Sequence, residues 1–191
     1  FIEQHSNWIT EQLEKRARKP LFESEIHTTI FGVRYNKSVE CHSNLPKGVH
    51  IIADKLVYNP AIQPDMSTPE KQEKWQTVLQ KQTLLFLKKT AEHYIVNKTQ
   101  EFATTMSVTF NEITLKQQKT RWGSCSSQKN LNFNWRLIHF PVEVINYVIV
   151  HELAHLTHMN HSAHFWQRVA QFDPEYLLHR GWLKRNGLVV E

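Results

Sequence analysis

No apolar run in the 191 residues approaches twenty, which excludes a membrane-spanning helix, and no secretory leader is visible. Cysteine occurs twice, at Cys41 and Cys125, too rarely for a disulfide framework, so a reducing cytoplasm is the expected location. In that compartment the Asn-x-Ser/Thr triplets beginning at Asn36, Asn97 and Asn160 carry no meaning for glycosylation. Glycine is scarce, five in all, and forms no Gly-rich phosphate loop; a rich acidic site for Mg²⁺ is missing as well. Both absences count against hydrolysis of a nucleotide phosphoanhydride. Without repeats or low-complexity segments, what remains is an ordinary globular composition, 40% apolar and 21% charged.

The charge balance is basic, +5 with a pI near 9.2, and Lys15-Arg16-Ala17-Arg18-Lys19 concentrates part of it. Such a run reads as a solvated helix end. It would also serve a nucleic-acid partner, and a DNA- or RNA-associated module with a structural metal is the non-enzymatic alternative.

Periodicity predicts an α+β chain. Residues 1–19 read as a helix, and 25–58 alternate in short β-like runs broken at Asn44-Leu45-Pro46-Lys47-Gly48, so 1–58 form an N-terminal helix and a small β-rich lobe. Pro60, Pro64 and Pro69, with Ser67 and Thr68, mark 59–69 as a linker to a second domain over 70–191. Thr68-Pro69-Glu70 opens a long helix whose core face is Trp75, Val78, Leu79, Leu85, Phe86 and Tyr94, ending near Asn97. Between 106 and 140 the period becomes two, through Val108, Phe110, Ile113 and Leu115 and again through Leu131, Phe133 and Trp135. This predicts an antiparallel sheet with Ser126-Ser127-Gln128-Lys129-Asn130 as a turn.

The chemistry concentrates at His151-Glu152-Leu153-Ala154-His155. Histidines four apart share one face of a helix and can hold one metal, while the glutamate between them reaches a water on that metal as general base. Neutral imidazole suits Zn²⁺, and three protein ligands leave a position for water, whose pKa falls to about 7. Val142, Val144, Ile145, Val148, Ile149, Val150, Leu153 and Leu156 surround the motif, so the helix, expected over 141–158 behind Pro141, belongs in an interior. Each unpaired polar group there costs about 1–3 kcal/mol, and a metal satisfies all three together.

The third ligand must come from beyond the helix. His158 shares the stripe, but seven residues span about 10.5 Å of axis, too far for one ion to meet both ends. Asn160 tolerates the left-handed conformation, so Met159-Asn160 can turn the chain and return His161 to the metal. His164 is the alternative, near the start of a helix that Ser162 caps and that ends before Pro174. His158 either lines the cleft or orients a ligand by a hydrogen bond. Arg121, Asn134 and Arg136 are candidates for substrate binding, the arginines by holding an anionic group or polarising a carbonyl. Their structural alternative has Trp122 and Trp135 packing on the metal helix while the arginines pair with carboxylates such as Glu143. Cys125 is a lesser ligand candidate, and Tyr147 reads as core before oxyanion stabiliser.

Arg121-Trp122-Gly123-Ser124-Cys125-Ser126-Ser127, Asn134-Trp135-Arg136-Leu137, the His151–His155 pentapeptide, Asn160-His161-Ser162 and Phe165-Trp166 occur in an order that resembles the YgjP-like family of zinc-dependent hydrolases, related to the zincin metallopeptidases. The resemblance covers roughly 75–187, and Asn7-Trp8-Ile9 resembles the close of that family's N-terminal β-rich region. It implies a zincin-like domain with His151, His155 and His161 on one Zn²⁺ and Glu152 as the catalytic carboxylate. It implies no substrate. The strands that family members carry before Trp8-Ile9 are missing and the chain opens at Phe1, so a trimmed piece is expected. A sheet edge beside the metal helix favours an extended peptide as substrate; a nucleotide is the alternative on the same site.

Overall fold

The computed structural model describes residues 26–186 apart from 61, 63 and 119. The helix expected over 1–19, with its basic run, lies outside them.

Two small sheets flank a helical core. The first comprises β1 (His27–Ile30), β2 (Val33–Val39), β3 (Gly48–Ile52) and β4 (Lys55–Asn59) in the order β1-β2-β4-β3; β2 and β4 are parallel and the other two pairs antiparallel. The β1–β2 turn has positive φ at both Phe31 (53°) and Gly32 (79°), the two-residue geometry that matches strand twist. Its tip reaches the rest of the protein. Phe31 N–H donates to the Ile138 carbonyl (2.7 Å), the Phe31 ring meets Tyr94 at 4.9 Å, and a Cβ on Gly32 would stand 3.1 Å from Pro141 Cα. Ile30 and Leu56 of this lobe belong to one hydrophobic cluster with Leu87, Ile95, Ile145 and Ile149.

Helix α1 (Pro69–Thr105) begins at Thr68, whose hydroxyl accepts the Lys71 N–H (3.3 Å) with Pro69 in the first turn. It runs 37 residues, about 55 Å, past the expected end near Asn97. Its fully buried residues are Thr83, Leu87, Ala91, Ile95, Thr99 and Ala103, every fourth position. The expected face is therefore offset: Leu85 is 45% exposed, while Trp75, Val78, Leu79, Phe86 and Tyr94 are half-buried at the margins. Four of the six, Thr83, Ala91, Thr99 and Ala103, are small side chains that allow close helix approach, and apolar bulk alone does not reveal such a row. Tyr94 O–H also donates across to Asn146 Oδ1 (2.8 Å).

The second sheet holds β5 (Glu112–Lys116), β6 (Gly123–Cys125) and β7 (Asn130–Asn134) in the order β5-β7-β6. It is mixed and not antiparallel as expected: β6 runs antiparallel to β7 through the 126–130 turn, but β5 runs parallel to β7. Alternation reports which face a side chain takes, not strand direction. Direction is set by the connection from β5 to β6, whose Gln118 (2.8 Å) and Arg121 (3.5 Å) carbonyls accept the side-chain amide of buried Asn134. Asn134 Oδ1 then caps a 3-10 helix (Trp135–His139) by accepting the Arg136 N–H (3.2 Å).

Helices α2 (Val142–Ala154), α3 (Ala163–Phe172) and α4 (Tyr176–Asn186) complete the fold. Buried α2 packs on α1, β6, α3 and α4. Phe140, just ahead of it, meets Trp122 edge-on at 4.6 Å and Trp182 of α4 at 5.0 Å. No sequence expectation covers α4, whose apolar residues define no single face; Leu177 and Leu178 are exposed. Among the described residues no helix is long and apolar enough to cross a membrane.

Gly32→Ala should destabilise the protein by about 1–2 kcal/mol, since an L side chain must adopt a left-handed conformation while meeting Pro141 at the threshold of α2. Urea denaturation measures this.

Candidate metal centre

Nine of the thirteen α2 residues are buried, including Glu152, and the helix ends at Ala154, earlier than the expected 158. His155 is the C-cap, in right-handed geometry, and the chain tightens there: Leu156 N–H donates to Leu153 O, and Thr157 and His158 N–H both donate to Ala154 O. These bonds use the carbonyls that a helix end leaves unpaired. Asn160 does not take the expected left-handed conformation; the described non-glycine residues with positive φ are Phe31, Ala53, Ser107 and Lys129. The tightened turn and extended Ser162 (φ −67°, ψ 174°) redirect the chain instead. Ser162 occupies the N-cap of α3 as expected, but its side chain makes no capping bond.

This path returns His161 to the helix. Ligand-capable atoms of His151, His155 and His161 all lie within 4.8 Å of one another, and the three ring centroids are 4.8–5.1 Å apart. His151 Nε2 and His161 Nε2 approach to 3.1 Å. Two nitrogens bonded to one tetrahedral ion at 2.0–2.1 Å stand about 3.4 Å apart, so this spacing suits a shared metal. Phe165, fully buried, forms a floor with its centroid 4.5–4.9 Å from each imidazole. His155 Nδ1–H donates to the His158 carbonyl (3.1 Å), leaving Nε2 as the lone-pair donor. His158 thus orients the His155 ring through its backbone and not through its own ring. His151 Nδ1 is buried with no hydrogen-bond partner, which leaves Nε2 as the atom in company.

Burial disfavours the charged form of the two helix histidines. Burial pulls His151 down to about 3, reinforced by His155, His161 and Arg180, and burial lowers His155 too. An imidazole must be deprotonated to bind metal, so these shifts favour ligation.

Glu152 is 6% exposed, and burial pushes it up to about 8 against the lowering influence of Arg121. Its seat exists because residue 123 is glycine: a Cβ there would fall 2.5 Å from Oε1, 2.6 Å from Cγ and 2.8 Å from Cδ. Beside it opens a cleft of about 420 Å³, lined by Trp122 and Gly123 of the β6 region, Tyr147, His151 and Glu152 of α2, and Arg180 of α4 among others. Tyr147 has a double placement, 4% exposed yet lining the cleft, with burial raising its hydroxyl to about 12.

The other candidates are dispersed. Arg121 is exposed, and the carboxylate its charge influences is Glu152, while Glu143 is exposed at the start of α2. Asn134 is fully buried and occupied with backbone, away from the cleft lining. Arg136 lies 5.7 Å from the Trp135 centroid, also outside that lining. Trp122 flanks the cleft, whereas Trp135 faces α1, where Lys88 lies over its ring. Cys125, unpaired like Cys41, stays outside the ligand cluster, its thiol pushed up to about 11 by burial and Glu152's charge. His158 and His164 stack at 6.1 Å around a separate cavity of about 290 Å³.

Sequence reasoning missed Arg180 and the role of Trp166. Trp166 stacks on His161 (5.6 Å, 25°) and on Tyr176 (5.5 Å, 19°), with the Arg180 guanidinium 4.5 Å from its centroid. The Tyr176/Arg180 spacing of four was a signal, though a common one on exposed helices.

A family model described as YgjP-like, metallopeptidase domain, matches residues 1–186. No curated protein matches. Among solved structures, the metallopeptidase zymogen abylysin of Pyrococcus abyssi is 19% identical with a TM-score of 0.41, over 48% of this chain and 97% of that one. The metallopeptidase zymogen jannalysin of Methanocaldococcus jannaschii is 21% identical with a TM-score of 0.40, over 47% and 95%.

Gly123→Ala should displace Glu152 and cost about 1–3 kcal/mol through overpacking, with any metal affinity of the untouched histidine cluster unchanged. Thermal unfolding and calorimetric zinc titration of the same variant measure both effects.

Proposed function

We propose that this chain, which belongs to the YgjP-like family of metallopeptidase domains, is a zinc peptidase whose ion is held by His151, His155 and His161 and whose general base is Glu152. The observation that carries this reading is a histidine triad one of whose members, His151, lines the same cleft as the buried carboxylate of Glu152. Three imidazoles are a donor set for zinc, although they also suit nickel, copper and iron. When bound, the ion supplies Lewis-acid polarisation of the scissile carbonyl and brings water's pKa to about 7.

The side chains supply the rest. Glu152 accepts the proton of the attacking water on a carboxylate oxygen and returns it to the departing nitrogen. Gly123 keeps that carboxylate seated. Strand β6 is the outer strand of its sheet and contains Gly123, so an extended peptide pairing along it would pass beside Glu152. Trp122 and Tyr147 narrow the cleft around that path and limit bulk water. The family match supports a peptide substrate and adds nothing to the nucleotide or nucleic-acid alternatives.

Glu152→Gln should retain stoichiometric zinc yet lose about 10²–10⁴-fold in peptide turnover. His161→Ala should instead lose zinc under dialysis that leaves the wild type loaded. Elemental analysis together with mass-spectrometric detection of peptide cleavage reads both; cleavage retained in Glu152→Gln would remove the base from the mechanism.

A further inference from the structure

The cleft has a charged wall that catalysis does not use. Arg180 and Lys184 line it from α4, one helical turn apart on the same face, about 6 Å along the axis, with Leu183 beside them. Among its described lining residues Glu152 is the single acid. A cleft lined with one sign of charge between low-dielectric walls concentrates ligands of the other sign, and a bound divalent ion would deepen that field. Glu152 lines the same cleft from α2.

Arg180 is held by stacking and not by an acid. Its guanidinium lies over the Trp166 ring at 4.5 Å, and the described ion pairs do not include it. Stacking on an aromatic face fixes the guanidinium plane and leaves the N–H fork at the ring's edge available to a planar carboxylate. Trp166 also stacks on His161, so the fork has a fixed relation to the histidine triad.

We infer that Arg180, assisted by Lys184, is a specificity determinant that binds a carboxylate of the substrate peptide, placed along the chain from the scissile bond. This rests on the peptidase reading above. An acidic side chain and a free C-terminal carboxylate share the required chemistry. Arg180 is not a catalytic residue, because its effect falls on which peptide is held.

Two readouts separate this inference from the peptidase reading. In the first, fluorescence anisotropy measures binding of labelled peptides to zinc-loaded Glu152→Gln protein, with and without Arg180→Ala. The three peptides are a neutral one with an amidated C-terminus, its counterpart with a single Glu, and its counterpart with a free C-terminus. One of the two carboxylate-bearing peptides should bind about tenfold to a hundredfold more tightly than the neutral peptide, and Arg180→Ala should erase the difference. Whichever counterpart gains affinity identifies the carboxylate's source. In the second, the ratio of kcat/KM for the preferred peptide to that for the neutral one is compared between wild type and Arg180→Glu. The ratio should fall below one as the charge reverses, and, where the Glu peptide is the preferred one, its counterpart with Lys in place of Glu should become preferred. Equal affinities for all three peptides, or a preference unchanged in Arg180→Ala, would overturn the inference. A preference that follows Arg180 without Glu152-dependent cleavage would leave it standing and remove the peptidase reading instead.

Discussion

Glu152 occupies volume that any side chain at residue 123 would take, and much of the site follows from that constraint. Seating a carboxylate in the core requires β6 to pass close against α2, which puts glycine in a strand interior where it otherwise weakens pairing. The approach is held from both sides: Asn134 ties down the connection ahead of β6, while Trp122, Phe140 and Trp182 interlock at its flank. The same burial that raises Glu152's proton affinity keeps His151 neutral. One feature of packing therefore prepares both the proposed base and a proposed ligand.

The third histidine has a different support. His151 and His155 inherit their positions from a rigid helix, but His161 stands on an exposed segment between α2 and α3. Its ring is located by stacking on Trp166, which is itself stacked on Tyr176 and covered by Arg180. Rigidity passes from α4 through an aromatic pile to the metal site. A loop ligand held in this way gains the precision that sites on helices and strands have by construction.

The motif residues were legible in the sequence because helical periodicity carries their geometry: His151 and His155, four apart, share one helix face without any knowledge of the fold, and Glu152 adjoins the first of them. The capped start of α1 at Thr68, the 126–130 turn and the span of α3 were equally local and readable. What escaped depended on tertiary context. Parallel pairing of β5 with β7 is invisible to alternation, and the chain reversal after His155 came from a tightened helix end where a left-handed Asn160 was expected. Asn134 looked like a binding residue because an asparagine among arginines suggests a polar site, yet its amide serves the backbone. Arg180 escaped because only the fold carries α4 to the cleft.

The central claim is that one ion is held by three imidazoles. X-ray absorption at the zinc edge of the metal-loaded protein tests it by counting first-neighbour atoms. The account predicts three histidine nitrogens at about 2.0–2.1 Å with no sulfur among the neighbours. A sulfur neighbour at about 2.3 Å, which would bring Cys125 onto the ion, or fewer than three imidazoles, would contradict it.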